Sequence, residues 1–246
     1  MITAGSFSRI QVFESCPKRA ELAYVQRIPE PERPPLPNGK EYPNDRGSRI
    51  HDEAEEFVRG TRNTLSPELV NFADELELLR SIYAADPSRL VMEDMWTFDD
   101  TWEVCDPNDY DTIWLRIKLD VLLFSASRDT AYVIDYKTGK RYGNEIKHAE
   151  QTQLYALATA LRYPDVQNII TELWYSDQDE IAHMHFTREQ ALKFFKNWNN
   201  KMLRMVNEKM FPAKANMYAC RYCPFKTGLI GKYGPEGTGD CDLNPV

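Results

Sequence analysis

The run Val133-Ile134-Asp135-Tyr136-Lys137 reads as a strand in which alternation puts Asp135 and Lys137 on one face and Tyr136 on the other. A carboxylate and an ammonium brought together in this way form either an ion pair that does no chemistry or part of a site for a divalent cation. Fifteen residues earlier, Asp120 interrupts the apolar run of residues 117–124. An unpaired carboxylate there is costly unless a cation compensates it. Phosphodiester hydrolysis needs a nucleophile made from water at neutral pH and relief of charge on phosphorus, and carboxylate-held Mg²⁺ or Mn²⁺ supplies both. Lys137 would then orient or help deprotonate the attacking water.

Other residues could complete such a site. In Gly47-Ser48-Arg49-Ile50-His51, His51 and Glu55 stand one helical turn apart, so the imidazole can reach a metal or a phosphate; the alternative is a structural histidine. Glu93, in Leu90-Val91-Met92-Glu93, is a further acid within an apolar run and completes a metal shell, or else faces solvent. Gln151 and Tyr155 share one helical face after the Asp-x-Lys strand, suited to touching a nucleotide or positioning Lys137. Lys140, Arg141 and Lys147 follow that strand, where they either position phosphates or form an ordinary solvated loop.

The elements that hold these residues follow from periodicity and punctuation. Residues 6–25 read as a helix capped by Ser6 or Ser8, with Ile10, Phe13, Ala20 and Tyr24 as its apolar stripe. Pro29, Pro31, Pro34, Pro35 and Pro37 make residues 28–43 an extended loop. Helical pattern resumes over residues 49–58, and a stronger helix is expected from Ser66, with Pro67 at its first position. Strands are expected at 90–96, 114–123, 131–136, 169–175 and 181–186, with a helix over 150–161 forming a crossover between the third and fourth. Thr187 and Gln190 have capping-box spacing ahead of a long amphipathic helix through Val206.

The 246 residues, 42% of them hydrophobic, suffice for one core with small appendages. A single domain is expected over 1–246: an N-terminal helix and proline loop (1–45), a core (46–210) and a cysteine-containing tail (211–246). With no membrane-length apolar run and no leader pattern, the expectation is a soluble, cytoplasmic protein without a membrane partner. The net charge of −8 gives no global basic footprint, so a nucleic-acid site must be a local patch. Five cysteines, an odd number gathered toward the termini, suit metal ligation better than a disulfide framework.

Taken in order, Gly47-x-x-x-His51, Glu93, Asp120, Asp135-Tyr136-Lys137-Thr138-Gly139 and Gln151-x-x-x-Tyr155 resemble the motifs of the PD-(D/E)XK nuclease superfamily. The resemblance is greatest to its RecB-like branch, which includes phage recombination exonucleases and CRISPR-associated adaptation exonucleases. It implies an α/β fold with a central mixed sheet flanked by helices, and a Mg²⁺ or Mn²⁺ ion among His51, Asp120, Asp135 and the carbonyl of Tyr136. Glu93 matches a less constant acidic ligand position. Asp120, Asp135 and Lys137 would be catalytic, with Gln151 and Tyr155 facing substrate. Asp135 stands where many members have glutamate.

Iron–sulfur members of that branch place one cysteine before the core and three after it. Cys16, Cys220, Cys223 and Cys241 reproduce the arrangement and imply a [4Fe–4S] cluster joining the chain ends, although seventeen residues separate Cys223 from Cys241, more than is usual there. Cys-x-x-Cys suits tetrahedral Zn²⁺ equally, and free buried cysteines are a third reading. Cys105 fits no ligand set. The implied activity is a metal-dependent deoxyribonuclease, more specifically an exonuclease at single- or double-stranded DNA ends. Recombination, repair or phage DNA metabolism would be its setting, with recombination or replication proteins as partners. The competing class is a non-catalytic DNA-binding or protein-interaction module on the same fold, favoured by the net acidity and the proline loop.

Overall fold

A computed structural model of the chain describes residues 1–139, 141–232 and 234–243, with backbone alone for Asn38. Lys140, one of the three basic residues noted after the Asp-x-Lys strand, lies outside the described residues. The chain packs as two compact units: Met1–Lys40 with Asn197–Val246, and Glu41–Lys196.

The first unit opens with a two-residue strand, β1 (Gly5–Ser6), and the helix α1 (Phe7–Ser15). Ser6 caps it as expected, its hydroxyl accepting the Arg9 N–H. The single helix expected over residues 6–25 does not form. Pro17 disfavours helical dihedrals in the residue before it, so Cys16 is extended (φ −158°), and the chain restarts as α2 (Pro17–Ala20) followed by a π-helical turn, Glu21–Val25. Ile10, Phe13 and Ala20 are buried, whereas Tyr24 is only partly so. The proline segment contains one 3-10 turn, Pro37–Gly39.

In the second unit α3 (Pro43–Arg59) begins six residues before its apolar periodicity does, because Pro43 sits at the first helical position where its missing N–H costs nothing. It ends at Gly60, whose φ of 80° a side chain would strain. Ser66 does not start a helix: its hydroxyl has no partner among the described residues, the chain turns through a 3-10 segment (Val70–Phe72), and α4 (Ala73–Ala85) begins only after it. The five strands that follow are β2 (Leu90–Phe98), β3 (Leu115–Phe124), β4 (Thr130–Lys137), β5 (Asn168–Tyr175) and β6 (Glu180–Thr187). They lie side by side in that order, antiparallel except for the parallel pair β4 and β5, which α5 (Glu145–Arg162) connects. The mixed sheet with flanking helices is the α/β arrangement expected.

Alternation along β4 sorts the two faces. Ile134 and Tyr136 join Val121, Leu90, Met92 and Trp174 in a core against Ile50, Ala54 and Phe57 of α3 and Leu76 and Leu79 of α4. Val133, Asp135 and Lys137 point the other way, toward α5, whose Leu154, Leu157 and Ala158 are fully buried. The helix stripes thus fix α3 and α5 on opposite faces of β4.

After β6 the Thr187–Gln190 capping box forms and begins α6 (Arg188–Lys193). The one long helix expected here breaks at Phe194, whose N–H bonds back to Ala191 in a tightened last turn, and resumes as α7 (Phe195–Val206). Trp198, Met202 and Met205 are buried as the stripe requires, while Phe195 remains 38% exposed. The tail holds a short helix, α8 (Met217–Arg221), capped by the Asn216 side chain. Among the described residues no helix is long and apolar enough to cross a membrane.

Candidate metal centre and catalytic cleft

The site originates where two strands part. The ladder between β3 and β4 ends at the pair Val121 and Ile134, and just beyond it the Asp120 carboxylate occupies the gap, Oδ2 accepting the Tyr136 N–H at 2.8 Å. His51, next to the buried Ile50 on α3, reaches over the strand ends: Nδ1 lies 3.2 Å from Asp120 Oδ1 and Nε2 3.0 Å from the Tyr136 carbonyl oxygen. Glu93 stands across from Asp120 on β2, between the paired Met92/Val121 and Asp94/Leu119. Ligand atoms of His51, Glu93 and Asp120 lie within 4.8 Å of one another.

Glu93 has φ of 52°, a left-handed conformation in the middle of a strand. For a non-glycine residue that costs on the order of 1–3 kcal/mol, the kind of strain that persists where surrounding structure enforces it, commonly at functional sites. Lys118, whose side chain is 60% exposed, pairs with the carboxylate at 2.5 Å. Glu93→Gly and Glu93→Ala both delete that carboxylate, but only glycine accepts the backbone. In chelator the Gly variant should therefore be the more stable of the two by about 1 kcal/mol. Equal melting midpoints would show that the left-handed conformation costs nothing.

Asp135 is 4% exposed, and its Oδ2 has an ion pair but no hydrogen-bond partner among the described residues. Its Oδ2 pairs with the Lys137 ammonium, and its Oδ1 accepts from Tyr155 Oη (2.7 Å) and Gln151 Nε2 (3.2 Å). Gln151 Oε1 in turn receives Lys137 Nζ at 2.8 Å. Gln151 and Tyr155 thus both bond the Asp135 carboxylate, and Gln151 bonds Lys137 as well. Asp135 lies outside the close set of three ligand atoms.

Electrostatics mark the same spot. Burial, with the charge of Asp135, raises the Asp120 pKa above the ordinary carboxylate range. Burial alone would lower the His51 pKa, but its bond to Asp120 and the charges of Asp120, Asp135 and Glu93 prevail and push it up to about 9. A cluster of carboxylates that raises the pKa of its neighbours in this way favours any added positive charge. Carboxylate oxygens with one imidazole and a backbone carbonyl are donors suited to Mg²⁺ or Mn²⁺, so the residues present fit a divalent ion.

Of the residues singled out, His51, Glu93, Asp120, Asp135, Lys137, Gln151 and Tyr155 gather at these strand ends, whereas Glu55 pairs with Arg59. Three neighbours were not singled out. Lys118 shows itself only through the pairing of β2 with β3. His148 shares a helix face with Gln151, and Tyr175 is the cross-strand partner of Lys137. Of the basic residues after β4, Arg141 pairs with Glu180, and Lys147 lies close enough to Lys137 that burial and this like charge lower its pKa.

In the other unit Cys16, Cys220, Cys223 and Cys241 line one cavity. The seventeen-residue gap is no obstacle. A loop closed by Ile230 N–H to Pro235 O and Gly237 N–H to Gly228 O brings Cys241 back, and its N–H bonds Phe225 O at 2.8 Å. A side chain at Gly237 would meet the Lys226 carbonyl oxygen at 2.1 Å, so the loop requires glycine there. Cys105 lies in the unit that holds the cleft.

The PD-(D/E)XK nuclease superfamily model matches residues 4–227. Among solved structures, the crystal structure of SSO0001 is similar at 15% identity and a TM-score of 0.37, covering 90% of this chain and 82% of that one. Among curated proteins nothing matches. With that match over most of its length and with a mixed sheet that splays at an aspartate beside an Asp-x-Lys strand, the chain belongs to the PD-(D/E)XK nuclease superfamily.

Proposed function

We propose that the protein is a Mg²⁺- or Mn²⁺-dependent deoxyribonuclease of the RecB-like branch, acting as an exonuclease on DNA ends in recombination, repair or phage DNA metabolism. The observation that carries this reading is the gathering of His51, Glu93 and Asp120 ligand atoms within 4.8 Å, beside the buried Asp135–Lys137 pair. His51, Asp120, Asp135, the Tyr136 carbonyl and Glu93 would hold the ion. When bound, it supplies a water of lowered pKa and offsets the charge on the phosphate.

The remaining work falls to the chain's own groups. Gln151 and Tyr155 fix the Asp135 carboxylate, so that no reorganisation is needed as charge develops nearby. Lys137, held between Asp135 and Gln151, presents its ammonium to the attacking water or to a phosphate oxygen. Arg46, bonded to both the Thr138 carbonyl and Asp177, steadies the turn after β4.

We further propose that the four cysteines hold a [4Fe–4S] cluster. Tetrahedral Zn²⁺ on the same four thiolates is the alternative, since Cys-x-x-Cys suits either metal.

End-labelled linear DNA and covalently closed circular DNA, each with Mn²⁺ and with chelator, test the exonuclease reading. Linear molecules should be degraded only with Mn²⁺, and circles should survive. Cleaved circles would make the enzyme an endonuclease. DNA binding without cleavage on either substrate would favour the non-catalytic module.

A further inference from the structure

The groups of the cleft lie in a row across the sheet: Glu93 on β2, Asp120 on β3, Asp135 and Lys137 on β4. The row continues. Tyr175 on β5 is the partner of Lys137 in the parallel ladder, one strand farther from the ion-binding set, a step of about 4.8 Å. Its hydroxyl is 2.7 Å from His148 Nδ1, and the two rings are 5.6 Å apart. His148 stands one turn before Gln151 on the face of α5 that meets the cleft, so it approaches the row from the same side as Gln151 and Tyr155. None of the roles described so far uses this pair.

Burial and the charge of Lys137 lower the His148 pKa, while burial raises that of Tyr175. The pair is thus a neutral imidazole and a phenol. With the phenol donating to Nδ1, the ring proton resides on Nε2, a donor with no partner among the described residues.

We propose that His148, tied by Tyr175, is a substrate-contacting residue whose Nε2 donates to a non-bridging oxygen of the phosphate next to the scissile one; this rests on the nuclease reading. A scissile phosphate must reach the ion-binding set on the Asp120 side of Lys137. A donor one strand beyond Lys137 therefore meets the neighbouring linkage. Such a contact sets the register of the strand and makes no demand on base identity.

The test is cleavage of a single-stranded oligonucleotide with Mn²⁺ by wild type, His148→Ala, His148→Gln, His148→Asn and Tyr175→Phe. Substrates carry a neutral methylphosphonate at the linkage on one or the other side of the scissile bond. His148→Ala should raise KM by about tenfold or more, the worth of a hydrogen bond to a charged group, with kcat nearly unchanged. The amide nitrogen of glutamine reaches the position of Nε2, so His148→Gln should restore KM while His148→Asn does not. Tyr175→Phe should show a smaller rise. On one of the two substrates the methylphosphonate should cost wild type the same factor and His148→Ala nothing more.

An unchanged KM in His148→Ala overturns the proposal, as does an equal further loss by that variant on both methylphosphonate substrates. If wild type cleaves no better than Asp135→Ala, the nuclease reading has failed instead. Anisotropy of the labelled oligonucleotide with Ca²⁺ then examines His148 alone: binding about tenfold weaker in His148→Ala supports the contact, and equal binding refutes it.

Discussion

Asp120→Asn should leave a protein that binds Mn²⁺ poorly and cleaves DNA at least about a thousandfold more slowly, yet melts no lower than wild type in chelator. The two halves of this expectation have one cause. Asp120 is 7% exposed, faces a second carboxylate, and has a pKa raised in the folded chain. An acid whose folded pKa lies above its unfolded value destabilises the fold once the pH exceeds the unfolded value, and at neutral pH that cost applies. Asparagine removes the charge and keeps an oxygen for the Tyr136 N–H, while His51 keeps the Tyr136 carbonyl. The melting temperature should therefore stay at or above that of wild type; a loss of 1 kcal/mol would show as a drop of roughly 2–4 °C at this chain length. Mn²⁺ titration and thermal melts in chelator measure both halves, and a variant that melts well below wild type would mean that Asp120 is held for stability.

The second large effect concerns the cysteines. Anaerobically purified protein should be brown, with broad absorbance near about 400 nm, and Cys223→Ser should be colourless. Loss of a metal that orders the tail removes several kcal/mol, so a drop on the order of 10 °C is expected for the transition of that unit. Cys105→Ser, outside the cavity, should keep the colour. Wild-type protein with one bound zinc and no iron would replace the cluster with a structural zinc site, and protein with neither would leave free thiols.

Much of this was legible because β-strand alternation is a strong signal wherever one face is buried. Val133 through Lys137 fixed both the strand and the shared face of its acid and base, and Gln151 and Tyr155 followed from helical spacing. Boundaries set by tertiary context were not legible. Cys16 interrupts a helix because of the proline after it, and Ser66 looks like a cap but its hydroxyl has no partner among the described residues. Within the site, the left-handed backbone at Glu93 and its pairing with Lys118 depend on the register of β2 against β3, which no local pattern reveals. His148 was hidden for a different reason. Its significance comes from Tyr175, a residue twenty-seven positions away that the parallel crossover sets beside Lys137.

On this reading Lys137 acts beside an ion held by Asp120 and its neighbours. Single-turnover cleavage of end-labelled DNA by wild type and Lys137→Ala, each with Mn²⁺ and with chelator, tests it most directly. Cleavage is expected in one of the four reactions, wild type with Mn²⁺, while Lys137→Ala still binds the ion. Cleavage that survives chelation, or that proceeds at the wild-type rate without the lysine, would contradict it.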